Sequence, residues 1–259
     1  MSQPTIGFTS TPVRRLRDLL SEKKARRAAG CFVVEGEVLV RAAIDAGLTV
    51  VEEFVREGES PITSGAVHFL ESVTIERVAS TVSPQPHIAI VEFPALGDLS
   101  RIGLGWVLVA DRVQDPGNLG TMIRSAAAAG AAALVVTPGT VDAFSPKVVR
   151  ATAGALFVLP CIEVASIVEV AAAGLSLVGT SSHEQSGSVA YDEFDFTGRV
   201  ALVMGNEAAG LDPSAPIDAW VTIPHVGPVE SLNVAMATTV LAFEIARQRK
   251  HRSSSGSGQ

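Results

Sequence analysis

The hydrophobic pattern of this chain alternates short runs rich in β-branched residues with alanine-rich runs of helical length. Such alternation is the signature of βαβ units, and it predicts an α/β fold with a mainly parallel sheet. The pattern recurs from end to end, with no internal repeat. A length of 259 residues fits one large or two modest domains, and 47% hydrophobic residues supply a core.

The first half of the pattern is compact. Thr11-Pro12 reads as N-cap and first helical position of a helix that runs to about Ala29 and is closed by Gly30. A strand at 32–34, a helix at 37–46 ended by Gly47, a strand at 50–56, an ambiguous stretch at 60–80 and a strand at 88–91 follow. Residues 92–103 carry proline, two glycines and polar groups, and read as a linker. The expected division is a first domain at 12–92, a linker at 93–103, a second domain at 104–250 and a low-complexity, disordered tail at 251–259. The second domain opens with a strand at 106–110 and a helix at about 119–129. Further strands are expected at 133–137, 175–179, 201–204 and 220–223, a helix from Pro146, and a last helix at 232–248.

Several function classes drop out. No run reaches the roughly 18 apolar residues of a membrane span, and residues 1–15 lack the apolar segment and cleavage site of a secretory signal. Cys31 and Cys161 lie far apart in apolar surroundings and read as reduced core thiols of a cytoplasmic protein. With five scattered histidines, no metal-ligand spacing is present, so no metal is expected. Gly103 and Gly105 precede their strand and do not form a dinucleotide fingerprint. Gly179-Thr180-Ser181-Ser182-His183 lacks the last glycine of a nucleophile elbow.

Net charge is −7, but its distribution is uneven. Residues 1–30 hold Arg14, Arg15, Arg17, Lys23, Lys24, Arg26 and Arg27 against only Asp18 and Glu22. A basic helix on an acidic body is either a phosphate-binding footprint for RNA or a solvated helix face.

Three segments carry candidate chemistry. In Asn118-Leu119-Gly120-Thr121-Met122-Ile123-Arg124, Asn118 sits at a helix start where its side chain can cap free amides. Arg124 lies six residues on, close to two turns. Its small, uncharged neighbours leave it needing a phosphate or carboxylate partner. In Leu202-Val203-Met204-Gly205-Asn206-Glu207-Ala208-Ala209-Gly210-Leu211 an apolar strand runs into a glycine-punctuated loop with one acid, the place where open α/β sheets bind ligands. The third is Ile223-Pro224-His225 followed by Ser231-Leu232-Asn233-Val234-Ala235, where Glu230, Ser231 and Asn233 are more polar groups than one helix cap requires.

In this order, the segments resemble the SpoU/TrmH branch of the SPOUT RNA 2′-O-methyltransferases. Asn118, Gly120 and Arg124 match the family's Asn-x-Gly-x-x-x-Arg motif. Gly205 to Leu211 match its Gly-Asn-Glu-x-x-Gly-Leu loop, and Ser231 to Ala235 its Ser-Leu-Asn-Val-Ala motif. More loosely, Phe32-Val33-Val34-Glu35-Gly36 and the basic helix before it look like the family's substrate-binding domain, with a ribosomal-protein-L30e-like fold. The resemblance implies a C-terminal trefoil knot, a rare topology, and a homodimer with its active site at the subunit interface. It implies S-adenosylmethionine (AdoMet) as cofactor, held near Thr180, Met204, Gly205, Ile223, Leu232 and Ala235. Arg124 would act at the ribose 2′-hydroxyl, as general base or as an electrostatic clamp. Asn118, Glu207, Ser231 and Asn233 would orient the ribose and Arg124. Ribosomal RNA is favoured over transfer RNA as the partner. A tRNA-directed enzyme, an antibiotic-resistance enzyme and a catalytically silent RNA-binding protein of the same fold stay open as alternatives.

Overall fold

Ser10 supplies the extended backbone of a helix N-cap and Pro12 sits in the first turn, so the chain enters helix α1 (Thr11–Ser21) at once. The computed structural model describes residues 4–81, 83–95, 97–181, 187–228 and 231–255. The single helix expected to reach Ala29 is two. Glu22 takes an extended conformation (φ −118°, ψ 118°) and α2 (Lys23–Ala29) starts afresh, closed by left-handed Gly30. The break has a physical cause in Arg26. Its guanidinium is 4% exposed and donates to the carbonyls of Leu19 at 2.6 Å and Leu20 at 3.3 Å, satisfying the open end of α1. A continuous helix would carry Arg26 away from those carbonyls.

Contacts divide the chain into two units: Met1–Ala95 with Asp142–Val158, and Leu96–Val141 with Leu159–Gln259. In the first, β1 (Cys31–Glu35), α3 (Glu37–Asp45), β2 (Val50–Arg56), β3 (Ala66–Leu70), α4 (Ser72–Val78) and β4 (His87–Glu92) build a four-stranded sheet of order β1-β4-β2-β3. Its β4 pairings are antiparallel and β2–β3 is parallel. Val13, Leu16 and Leu19 place one stripe of α1 on Phe54, Ile88 and Ile90 of this sheet. The ambiguous stretch at 60–80 resolves into β3 and α4. Strand β3 is only half-buried, so its pattern is diluted. The sheet also gains an unexpected piece: Thr5 bridges Phe69, and the Ile6 amide donates to the Phe69 carbonyl at 2.8 Å, so the unit begins before residue 12.

The second unit opens with β5 (Val107–Ala110), α5 (Pro116–Ala128) and β6 (Ala133–Val136). The chain then departs from the linear division the sequence suggests. Residues 142–158, carrying α6 (Pro146–Ala151), cluster with the first unit. There the Asp142 carboxylate receives Arg26 Nε at 2.8 Å and Nη2 at 2.7 Å, while Phe144 stacks among Phe32 and Phe93. Back in the second unit come β7 (Cys161–Glu163), α7 (Ile167–Ala172), β8 (Ser176–Thr180), β9 (Val189–Ala190), β10 (Val200–Met204), β11 (Ala219–Thr222) and α8 (Val234–Ser255). All neighbours in the seven-stranded order β7-β6-β5-β10-β8-β11-β9 are parallel. Strands β5, β6 and β10 are buried along their whole length, which is why they read as unbroken apolar runs. Strands β7 and β9 are too short to show any period.

Helix α8 overturns the expected disorder of 251–255 and continues to Ser255. Arg249 donates to the Leu104 carbonyl at 2.8 Å and Arg252 to Thr197 Oγ1 at 2.9 Å, which holds the last turns down. Residues 256–259, expected to be disordered, lie outside the described residues, as do Glu230, Ser182 and His183. Cys31 and Cys161 are both buried thiols, and burial pushes that of Cys31 up.

Removing Arg26 leaves the Asp142 carboxylate with only the longer Arg27 contact at 3.7 Å and the Phe144 amide, and opens the end of α1. Arg26→Ala is therefore expected to cost about 3–5 kcal/mol, the scale of breaking one buried ion pair. Calorimetry should show the unfolding midpoint falling by roughly ten degrees or more. An unchanged midpoint would mean that the pair is dispensable.

Candidate active site

The loop after β5 ends at Asp115, and Asp115 rather than Asn118 caps α5. Its Oδ1 accepts the Asn118 amide at 2.8 Å, and Pro116 opens the helix. This corrects the capping role expected of Asn118 and explains what its side chain does instead. Asn118 Nδ2 donates to Glu207 Oε1 at 3.1 Å, and Asn118 Oδ1 accepts from Asn233 Nδ2 at 3.0 Å. Asn233 is the cap of α8: its Oδ1 accepts the amides of Ala235 at 2.9 Å and Met236 at 3.4 Å. One chain of hydrogen bonds thus joins three segments, with Asn118 lying 89 residues from Glu207 and 115 from Asn233.

Glu207 is its hub. Besides Asn118, its carboxylate accepts the backbone amides of Gln114 at 3.2 Å and Asp115 at 3.1 Å. Burial raises its carboxyl. The hydrogen bonds from Asn118, from its own amide and from those of Asp115 and Gln114 outweigh burial, and the net shift is below the ordinary glutamate range. The group is therefore ionised at neutral pH, and its contribution fades only as pH falls through that depressed value.

The loop after β10 is built to reach this position. Asn206 Oδ1 accepts the amides of Ala208 at 3.0 Å and Ala209 at 2.9 Å, and its Nδ2 donates to the Arg112 carbonyl at 3.0 Å. Arg112 holds a positive φ of 56°, a strained conformation fixed by this bond and by its own to Thr137 and Asp111. A Cβ on Gly205 would lie 2.6 Å from the backbone of Gly210 and of Leu211, so only glycine fits there.

Beside the network, at the carboxyl ends of β8, β10 and β11, lies a cleft of about 170 Å³ that opens to solvent. Its position is that of a small-molecule site in an open α/β sheet. Thr180, Met204, Gly205, Ile223 and Leu232 line it as expected, together with Glu207 and Ser231. Ala235 does not: its side chain is buried and its amide is taken by Asn233. His225, which the sequence reading left unassigned, also lines the cleft. Its Nε2 is buried and has no hydrogen-bond partner among the described residues. Asn206 and His225 were findable: each is a polar residue just past the end of an apolar strand.

Arg124 stands apart. Six residues of α-helix turn it about 120° from Asn118, so the two do not share a face. It is exposed and has no ion pair among the described residues. The basic segment of the first unit also sorts itself. Arg14, Arg17, Lys23 and Lys24 are exposed. Arg15 pairs with Glu52. Arg27 is half-buried over the rings of Phe93 and Phe144. Arg26 is withdrawn into the interior, which corrects its assignment to an RNA-binding face. Among the described residues no group of three or more metal-ligating side chains occurs, and no helix is long and apolar enough to cross a membrane.

Residues 105–243 match the SpoU rRNA Methylase family. The chain belongs to that family. Residues 11–89 separately match the MRM3-like substrate binding domain. This SpoU family member is 36% identical to the 23S rRNA (uridine(2479)-2′-O)-methyltransferase of Streptomyces viridochromogenes, over 89% of this chain and 88% of the relative. It is 35% identical to the 23S rRNA (guanosine(2553)-2′-O)-methyltransferase RlmP of Bacillus subtilis, over 87% and 92%. The crystal structure of the SpoU methyltransferase AviRb from Streptomyces viridochromogenes in complex with AdoMet superposes with a TM-score of 0.82. That match has 32% identity and covers 93% of this chain and 98% of that one.

In this SpoU enzyme Gly205→Ala should displace the 205–211 loop, because the new methyl meets backbone rather than a flexible side chain. The expected outcome is AdoMet binding weakened at least tenfold by calorimetry, about 1.4 kcal/mol. Binding within twofold of wild type would show that the loop yields freely.

Proposed function

We propose that this protein transfers the methyl group of AdoMet to a ribose 2′-hydroxyl of ribosomal RNA, so that it is an AdoMet-dependent RNA 2′-O-methyltransferase. The hydrogen-bonded chain Glu207–Asn118–Asn233 carries the reading, because it joins all three family motifs at the rim of the cleft. The residues present fit the cofactor. The cleft opens at the carboxyl ends of the strands, Gly205 leaves its wall free of a side chain, and His225 Nε2, buried and without a hydrogen-bond partner among the described residues, offers a polar contact. Thr180, Met204, Gly205, Ile223 and Leu232 would hold the cofactor.

Bound AdoMet supplies a methyl group already activated for displacement, so the chain's task is positioning. Glu207 and Asn233 set the orientation of the Asn118 amide: its NH₂ must face the carboxylate and its oxygen the Asn233 donor. Asn118 and the exposed Ser231 hydroxyl then present fixed polar edges to a ribose. Arg124 acts through its planar guanidinium as a clamp on an RNA phosphate or on the oxyanion that develops at the 2′-oxygen. The phosphate or water takes the proton.

An arginine turned away from the Asn118 network suits a site completed at a subunit interface. Met236, Val240 and Phe243 form an exposed apolar stripe on α8, and the flank beside it meets α5 through Ser125 and Thr239 at 2.7 Å. A second copy of the chain covers that stripe in the homodimer we propose, and the knotted path of the family belongs to the same proposal. The match to a substrate-binding domain supports RNA selection by the first unit.

The test is transfer of labelled methyl to protein-free 23S ribosomal RNA and to transfer RNA, scored by resistance of the labelled linkage to alkali. Asn118→Ala is expected to lower the transfer rate by roughly 10²-fold, as for loss of one oriented polar group. AdoMet affinity should stay within a few-fold of wild type. Label in transfer RNA alone would sink the ribosomal assignment, and equal loss of rate and binding would reduce Asn118 to a scaffold role. Phe243→Glu should yield a monomer by sedimentation with little activity; an active monomer excludes the interface site.

A further inference from the structure

The N-terminal segment that bridges β3 delivers Phe8 to the surface of the first unit, where its ring packs against the core around α1. Two arginines from different elements converge on that ring. The guanidinium carbon of Arg17 on α1 lies 4.3 Å from the ring centroid, and that of Arg77 on α4 lies 4.0 Å from it. Both side chains are exposed, and neither has a carboxylate partner among the described residues. Asp18 and Glu76 are their sequence neighbours and form no ion pair with them. Arg14 lies one turn before Arg17 on the same helical face.

Two cations gathered on one small ring repel each other, and the arrangement gains most when an anion binds both. Each guanidinium is held close to the ring by cation–π attraction and still carries N–H donors in the fork geometry that matches phosphate. With the ring taken up by arginine, Phe8 is not available to stack on a base. The ligand chemistry is thus backbone phosphate, recognised without reading sequence.

We propose that Arg17 and Arg77, pre-ordered on Phe8 and extended by Arg14, form a phosphodiester-binding patch for the RNA substrate. The inference rests on the ribosomal-RNA reading above and adds to it a place of contact. Neither Phe8 nor Arg77 belongs to the basic segment that the sequence singles out.

The experiment is binding of the full chain to protein-free 23S ribosomal RNA across a salt series. Arg17→Ala, Arg77→Ala and Phe8→Leu are compared with Arg41→Ala as control, since Arg41 is an exposed arginine already paired with Glu37 at 2.8 Å. Each patch arginine removed should weaken binding several-fold and lower the log–log salt slope by about one. Phe8→Leu, which keeps both charges, should weaken binding with the slope unchanged. Unfolding midpoints and AdoMet affinity certify each variant as folded; the two arginine variants alter only exposed groups and stand alone if Phe8→Leu does not fold. Wild-type binding that Arg17→Ala and Arg77→Ala leave intact overturns the patch alone, as does an equal loss in Arg41→Ala. Failure of the wild-type chain to bind ribosomal RNA overturns the patch together with the substrate reading.

Discussion

The site depends on one carboxylate. Glu207 accepts two backbone amides from the loop before α5 and the side chain of Asn118, and so ties the turn after β10 to the start of α5. Asn233 extends the tie to the start of α8. Parallel pairing makes this feasible: β5 and β10 are neighbours with Ala110 opposite Met204, so both loops leave the sheet side by side at its carboxyl edge. A partly desolvated carboxylate with three donors is held ionised, and each bond in the chain polarises the next. The orientation of Asn118, which we assign to substrate positioning, is therefore set by electrostatics rather than by shape alone.

Around that hub the backbone is arranged to allow close approach. Gly205 lets the loop after β10 fold back on itself, and Arg112 accepts a strained conformation so that its carbonyl meets Asn206. The cleft at the same edge inherits its walls from the ends of three adjacent strands. Strain, close contact and an imidazole nitrogen without a partner among the described residues gather at the cleft we propose for AdoMet, and the sheet's buried strands are plain apolar packing.

In the first unit the same types of residue divide by surroundings. Arg26 spends its donors on helix carbonyls and Asp142, and Arg15 on Glu52, while Arg17 lies exposed over Phe8. A set of seven basic residues is thus a buried strut, a helix-to-sheet pair and a surface patch at once. Asp142 lies over a hundred residues from Arg26, so no local pattern shows the pairing.

The sequence by itself determined the α/β class, most strands of the parallel sheet, and the three motifs with the family they belong to. These signals are local: buried parallel strands are continuous apolar runs, and glycine or a helix cap marks each loop. It also marked Glu207, Asn118 and Asn233 as candidate site residues. Only the tertiary structure decided how they are used, giving the cap to Asp115, freeing Asn118 for Glu207, and turning Arg124 out of their company. It likewise broke the first helix, moved residues 142–158 to the first unit, and carried α8 to Ser255. The move of residues 142–158 and the hold on the end of α8 rest on bonds between residues distant in sequence, Arg26 with Asp142 and Arg249 with Leu104, and such partners become visible only once the chain has brought them together.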